Sequence, residues 1–112
     1  MKGLSSLLFA APLCLALTGP AQAALDADAA QELMKSNKCS KCHSPDKSKS
    51  GPSLKSIAAK YKGKANGEEQ VIKNITTGPK VKLDDGSQEE HTIVKTKDAA
   101  QLKNLAQWIL SN

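Results

Sequence analysis

The segment NKCSKCHSPDKSKSGPSL, residues 37–54, concentrates the reactive side chains of this 112-residue chain. Cys39, Cys42 and His43 occupy five consecutive positions in it, and the rest of the chain contains one more cysteine and one more histidine. Two thiols at this spacing can each add to one vinyl group of a haem, and the histidine that follows can bind the iron. The motif therefore predicts one haem c attached covalently through Cys39 and Cys42, with His43 as the proximal ligand.

The same residue types also suit two other kinds of site. A structural zinc ion needs four ligands, and the two cysteines together with His43 and His91 would supply that set. A thioredoxin-like redox pair needs a strand before the motif and a helix that starts at it. Here the residues before the motif have helical spacing instead. Haem is the preferred interpretation, and the zinc and dithiol alternatives stay open at this point.

The first 23 residues have the pattern of a secretory signal peptide. Lys2 is followed by an apolar run over residues 4–17 and by the small-residue sequence Ala-Gln-Ala. The run is shorter than the roughly 20 residues that a membrane-spanning helix needs. We expect cleavage after Ala23, a mature domain of residues 24–112, a periplasmic location, and no membrane insertion after cleavage.

All sixteen basic residues are lysines, and with eleven acidic residues they give a net charge of +5. Nucleic-acid binding relies on arginine for bidentate base contacts and on aromatic side chains for stacking, and aromatics make up only 3% of this chain. We therefore expect no nucleic-acid partner. The lysines indicate either an ordinary solvated surface or a positive field that attracts an acidic partner protein.

Four segments place apolar residues at helical spacing, and each follows a residue that can cap a helix. These caps are Asp26 or Asp28, Ser53, Asn66 and Asp98, the last in a capping-box pattern with Gln101. The connection before the last segment, residues 79–97, is long for so small a domain. It has a turn signal at residues 85–86, and Val81, Leu83, Ile93 and Val94 flank that turn as in a short hairpin. The prediction is an all-α fold of about four helices.

The predicted domain has few large apolar side chains with which to build a core. A buried haem macrocycle would supply the missing apolar surface. Folding and cofactor binding should then be linked, so we expect the haem-free chain to be largely unfolded.

The chain resembles the class I cytochromes c. The resemblance rests on CSKCH, on GPSL at residues 51–54, on IAAKYKG, and on a last helix that ends in LAQWIL, and it covers nearly all of residues 24–112. It implies crossing N- and C-terminal helices around one haem, with His43 as the proximal ligand. It also implies that Pro52 supports the carbonyl that orients the His43 ring, and that single electrons pass between partners that dock at an exposed haem edge.

One family feature is missing, the methionine that usually provides the sixth iron ligand from the long loop before the last helix. Met34 precedes the motif, and we expect it in the core. His91 lies in the long loop and imidazole is a good iron ligand, so we expect His91 to be the distal ligand. An open iron site is one alternative, and a lysine is another, although an ammonium must lose its proton against an ordinary pKa of about 10.4. The nearby lysines are Lys80, Lys82, Lys95 and Lys97.

These observations predict a soluble periplasmic electron carrier that is not an enzyme. Imidazole in place of thioether lowers the potential, so a low-potential carrier is expected. An open or displaceable distal site would instead suit a module that binds or senses a diatomic gas. A small peroxidase needs a distal base, and no histidine remains for it if His91 binds iron.

The expected partners are redox proteins with acidic docking surfaces, such as multihaem cytochromes or membrane oxidoreductases. Lysines flank both the haem motif and the distal loop, so both sides of a haem edge would be positively charged. They are Lys38, Lys41, Lys47 and Lys49 on the first side and Lys80, Lys82, Lys95 and Lys97 on the second.

Overall fold

The computed structural model describes Gly19 and residues 24–112. Apart from Gly19, the predicted signal peptide lies outside the described residues, and its cleavage after Ala23 stays a prediction. Within the part of the chain that is described, no helix combines the length and the apolar character needed to cross a membrane.

The described chain is mostly helical, as the sequence predicts. Its four α-helices are α1 (Ala27–Ser36), α2 (Leu54–Tyr61), α3 (Gly67–Thr77) and α4 (Ala99–Leu110). A 3₁₀ turn (Cys39–Lys41) follows α1, and a two-stranded antiparallel hairpin, β1 (Lys80–Lys82) and β2 (Gln88–Glu90), lies between α3 and α4.

Side-chain caps start three of the helices where the sequence predicts them. The Asp26 carboxylate accepts the Ala29 N–H at 2.9 Å, and the Ser53 hydroxyl accepts the Ser56 N–H at 3.1 Å. Asp98 accepts the N–H groups of both Ala100 and Gln101 at the start of α4. Each such bond satisfies a backbone donor that has no partner inside its own helix.

Two details of capping differ from the prediction. Asn66 precedes α3, but its side chain makes no capping hydrogen bond. The capping box at α4 is only half formed, because the Asp98 N–H donates to the Thr96 hydroxyl at 3.2 Å rather than to Gln101.

The helix α4 packs against each of the other three helices. Leu105 and Ala106 on α4 are completely buried, and so is Ala30 on α1. The pair of α1 and α4 is also joined by Asn104, whose side chain donates to the Asp26 carbonyl at 2.8 Å and accepts the Asp26 N–H at 2.9 Å. Met34 is buried in this core, as expected.

A hairpin does form in the long connection, but its second strand does not contain Ile93 and Val94. A tight turn sets the register: the Leu83 N–H donates to the Ser87 carbonyl at 2.8 Å, which aligns Lys80–Lys82 with Gln88–Glu90. The two apolar residues therefore lie beyond the paired region. Ile93 is half exposed, whereas Val94 is buried and its N–H donates to the Ile75 carbonyl at 2.9 Å.

Candidate cofactor-binding site

An apolar cavity of about 540 Å³ lies between α2, α3, α4, the 3₁₀ turn and the hairpin. This volume is within the range of about 300–1,000 Å³ that is usual for cofactor and ligand pockets. Its apolar wall includes Met34, Leu54, Ile57, Val71, Ile75 and Leu105. The five residues that the sequence singled out all line it as well: Cys39, Cys42, His43, Pro52 and His91.

The 3₁₀ turn brings the reactive residues of the motif to one side of the chain. The Cys39 carbonyl accepts the N–H groups of both Cys42 and His43, at 3.1 and 3.0 Å, so the motif folds back on itself within five residues. Lys38 makes this possible by adopting the left-handed conformation (φ 58°) between α1 and the turn. Both thiols are free and half-buried, so they can react with a group placed in the cavity.

Burial raises the pKa of the Cys39 thiol above its ordinary value and outweighs a backbone hydrogen bond that lowers the pKa, and the neighbouring Cys42 adds a smaller increase. Both increases disfavour the thiolate, because a charge loses solvation in an apolar site and repels a second charge nearby. Cys39 is therefore held as a neutral thiol at neutral pH.

The His43 ring is fixed by a hydrogen bond and by a close backbone contact. Its Nδ1 lies 2.6 Å from the Pro52 carbonyl oxygen, which can only accept, so Nδ1 carries the proton and Nε2 keeps its lone pair. A Cβ atom at Gly51 would lie 3.0 Å from His43 Cε1, so only glycine allows the ring to lie this close to the chain. Metal-binding histidines typically have one ring nitrogen held in this way.

His91 is half-buried on the wall of the same cavity and is fixed in a similar way. Its Nδ1 donates to the Thr92 carbonyl at 2.9 Å, which leaves Nε2 with a lone pair. Burial lowers the pKa of His91 below its ordinary value, because it outweighs the backbone hydrogen bonds to Thr92 and Asn74 that raise the pKa; the nearby His43 adds a smaller decrease. The lowered pKa favours the neutral imidazole, which is the form that binds a metal ion.

The two rings lie with their centroids 6.0 Å apart, tilted by 44°. A bond from a transition metal to imidazole nitrogen is about 2 Å long, so two imidazoles on opposite sides of one metal ion have ring centres roughly 6 Å apart. The observed spacing fits that arrangement. With the free thiols and the apolar wall, the residues present fit a haem group.

The described residues do not form the zinc site that the sequence left open as an alternative. Among residues 24–112, no group of three or more cysteine, histidine or acidic side chains is arranged to hold a metal ion. The Cys–Cys–His–His set considered in the sequence is therefore not assembled as a zinc site.

Four of the described lysines line the cavity. Lys38, Lys80 and Lys82 are among those that the sequence indicated, and Lys60 on α2 is an additional one. Lys49 has a different role, because its ammonium donates to the Ser40 carbonyl inside the haem motif at 3.1 Å.

Two polar residues on the cavity wall were also missed. The Asn74 side chain donates to the Tyr61 hydroxyl at 3.2 Å, and both residues line the cavity. Helical spacing could have indicated both residues, because it places each on the same helix face as an apolar lining residue. Tyr61 follows Ile57 by four positions, and Asn74 follows Val71 by three.

Comparison with known proteins gives a consistent set of relatives. The model of the cytochrome c family matches residues 27–112. Cytochrome c-551 of Pseudomonas denitrificans is 31% identical over 81 residues, which cover 72% of this chain and 94% of that protein. The corresponding protein of Azotobacter vinelandii is 29% identical over 82 residues, covering 73% and 95% of the two chains.

Solved structures agree with these matches. The class 1 cytochrome MtoD from Sideroxydans lithotrophicus ES-1 is 48% identical with a TM-score of 0.75, covering 79% of this chain and 97% of that one. Cytochrome c552 of Nitrosomonas europaea is 32% identical with a TM-score of 0.58, covering 72% and 96%.

Proposed function

The chain belongs to the cytochrome c family, and from this we propose that it is a periplasmic carrier of single electrons whose haem c lies between His43 and His91. Members of this family bind a c-type haem covalently through a cysteine pair, and Cys39 and Cys42 have the spacing of that pair. They transfer electrons and are not enzymes. When bound, the haem supplies an iron that gains or loses one electron.

The observation that carries the proposed ligation is the 6.0 Å spacing of the His43 and His91 rings. Each ring donates from Nδ1 to a backbone carbonyl, so each has Nε2 available for iron. Met34, the one methionine among residues 24–112, belongs to α1, where it is buried in the core as part of the apolar cavity wall. His91 is thus the side chain best placed to act as the sixth ligand.

Two consequences follow for the chain's own residues. Pro52 orients the proximal ring through its carbonyl, and Gly51 leaves room for that ring. An imidazole in place of the usual thioether stabilises ferric iron, so the carrier should work at low potential.

The proposed partners are redox proteins with acidic docking surfaces, for example multihaem cytochromes or membrane oxidoreductases. Support comes from the lysines that line the cavity: Lys38, Lys60, Lys80 and Lys82. With one acidic residue on the same wall, Glu89, the local charge is positive and would attract an acidic surface. The proposed periplasmic location depends on the N-terminal signal pattern, which N-terminal sequencing of the exported protein would test.

Optical spectra of the purified holoprotein, with and without carbon monoxide, test the ligation. We expect low-spin ferric and ferrous spectra in the native protein, and a ferrous spectrum that carbon monoxide changes only slowly, because His91 must first leave the iron. His91→Ala should become high-spin and bind carbon monoxide, whereas Lys82→Ala, which removes a competing side chain on the same cavity wall, should stay low-spin. A native protein that is high-spin and binds carbon monoxide would contradict ligation by His91 and favour the gas-binding alternative.

A further inference from the structure

We propose that Asn37 is a positioning residue that holds the His91 segment in place and thereby controls how readily the distal ligand leaves the iron. The inference rests on the proposed ligation by His91. It assigns a role to a residue that touches neither the ligand nor the attachment thiols.

Asn37 is a buried polar residue at the end of α1, two positions before the first haem cysteine. The residue is 8% exposed. The other buried polar residue within the described chain, Ser53, already acts as the cap of α2. The Asn37 backbone N–H and side-chain amide both donate to the Leu33 carbonyl, at 3.1 and 2.9 Å. These bonds satisfy a carbonyl at the end of the helix, where intrahelical partners run out.

The side-chain oxygen of Asn37 points to a distant part of the chain. It accepts the backbone N–H of Lys95 at 3.0 Å, across 58 residues of sequence. One amide group therefore ties the end of α1, which leads into the haem attachment motif, to the segment that carries His91.

That segment, residues 91–97, has no regular secondary structure. Its other backbone ties are the His91 N–H to the Pro79 carbonyl and the Val94 N–H to the Ile75 carbonyl, each at 2.9 Å. Both lead to the α3 side of the cavity. The bond to Asn37 is the tie to the attachment side, so it resists movement of the segment away from His43.

An irregular segment with few hydrogen bonds opens locally at low cost, and each bond contributes a large part of its local stability. For His91 to leave the iron, its segment must move, and movement away from the attachment motif breaks the Asn37–Lys95 bond. Loss of Asn37 should therefore increase the population in which the distal position is free.

Asn37→Ala and Asn104→Ala form a matched pair for the test. Each loses one side chain that both donates to and accepts from backbone, but the hydrogen bonds of Asn104 link α4 to Asp26 at the start of α1, whereas that of Asn37 reaches Lys95. The ferrous holoprotein of each is mixed with carbon monoxide, and amide hydrogen exchange is followed at Lys95.

We expect Asn37→Ala to bind carbon monoxide about tenfold faster than the native protein, the effect of about one net hydrogen bond. Its Lys95 amide should also exchange faster. Asn104→Ala should keep the native values of both, although it is less stable. Equal carbon monoxide rates in the two variants would overturn the proposal, because they would show a general loss of stability.

Asn37→Asp separates the two contacts of the side chain. It keeps an oxygen that can accept the Lys95 N–H but loses the amide that donates to Leu33, so its carbon monoxide rate should stay near the native one. A rate as fast as that of Asn37→Ala, with exchange at Lys95 still native, would overturn the proposal, since the bond to Lys95 would be intact and the helix-end contact would be responsible. Should Asn37→Ala give too little holoprotein, Asn37→Ser provides the same comparison, with an oxygen too close to the backbone to bond Lys95 directly.

The failure of the underlying function would look different. If native protein and His91→Ala bind carbon monoxide equally fast, His91 is not the iron ligand. Asn37 then cannot control the release of a distal ligand through the His91 segment. Exchange at Lys95 would still report whether Asn37 holds the segment. Unchanged exchange at Lys95 in Asn37→Ala would show that the bond from Asn37 to Lys95 does not hold the segment, whichever residue binds the iron.

Discussion

The rings of His43 and His91 have centroids 6.0 Å apart, although one follows α1 and the other precedes α4. Two separate parts of the fold thus place two imidazoles at a spacing that would allow both to bind one metal ion. Since both rings are fixed through Nδ1 by backbone carbonyls, the spacing is set by the main chain.

Replacing His91 by methionine should raise the reduction potential of the haem. Axial ligands and their surroundings set haem potentials over a range of about 0.8 V, and we expect a rise on the order of 100 mV for this change. Thioether stabilises ferrous iron relative to imidazole. Potentiometric titration followed by optical spectroscopy measures the effect.

The control for this experiment is Ile93→Met, which adds a thioether two residues away on a half-exposed side chain. It should leave the potential at the native value, because His91, the proposed distal ligand, is unchanged in this variant. A potential that is the same in His91→Met and the native protein would show that His91 is not an iron ligand.

Gly51→Ala should disturb the ring of His43, the proposed proximal ligand. The added Cβ would lie 3.0 Å from Cε1 of His43 and 3.4 Å from the Cys42 carbonyl oxygen, so the ring or the chain must shift. Overpacking of this kind costs about 1–3 kcal/mol. Chemical denaturation measures the loss of stability, and the ferric optical or paramagnetic resonance spectrum reports the shift of the ring.

Gly63→Ala separates the two effects. Gly63 has φ +85° and no atom within 4 Å of the added Cβ, so alanine strains the backbone without touching the haem site. It should lower stability and leave the spectrum unchanged. The interpretation of Gly51 is wrong if its alanine variant also keeps the native spectrum.

The sequence predicted the parts of this molecule that depend on neighbours in the chain. The caps Asp26, Ser53 and Asp98 act on amides two or three residues away, so a local pattern identifies them. The turn signal identifies the hairpin, but the sequence does not show that only three residues of each strand pair. Ile93 and Val94 therefore lie beyond the second strand instead of flanking the turn within the hairpin.

Contacts between distant residues were not predictable in the same way. Nothing around Asn37 in the sequence indicates a bond to Lys95, because the two meet only when α1 and the segment before α4 pack together. The Asn74–Tyr61 bond on the cavity wall has the same origin. The position of His91 in the long loop and the missing methionine indicate it as a candidate ligand from sequence alone. Its distance from His43 becomes known only from the folded structure.

The haem-free chain should be largely unfolded. An empty cavity of about 540 Å³ would cost, at roughly 24 cal/mol per Å³, up to about 13 kcal/mol, an upper limit since water can enter it. The total stability of a domain is only about 5–15 kcal/mol. Cys39→Ser combined with Cys42→Ser, purified without haem, should therefore lose the helical circular dichroism of the holoprotein. A helical spectrum equal to that of the holoprotein would contradict this prediction.

Charge reversal at the cavity should slow reaction with an anionic oxidant. Lys80 and Lys82 line the cavity, so replacing both by glutamate removes positive charge where a partner would approach. With ferricyanide as the probe, we expect the second-order oxidation rate at low salt to fall about tenfold or more, the scale of electrostatic steering in proteins. Stopped-flow measurements over a range of ionic strength test this, because salt screens such steering within about 10 Å at 0.1 M.

Lys103→Glu combined with Lys55→Glu provides the matched control, since both lysines are exposed and neither lines the cavity. This pair changes the net charge equally but should reduce the rate much less. If the two double variants react equally slowly, the effect comes from net charge alone and the cavity is not the point of approach. If neither differs from the native protein, the lysines are an ordinary solvated surface, and docking must depend on apolar contacts at the haem edge.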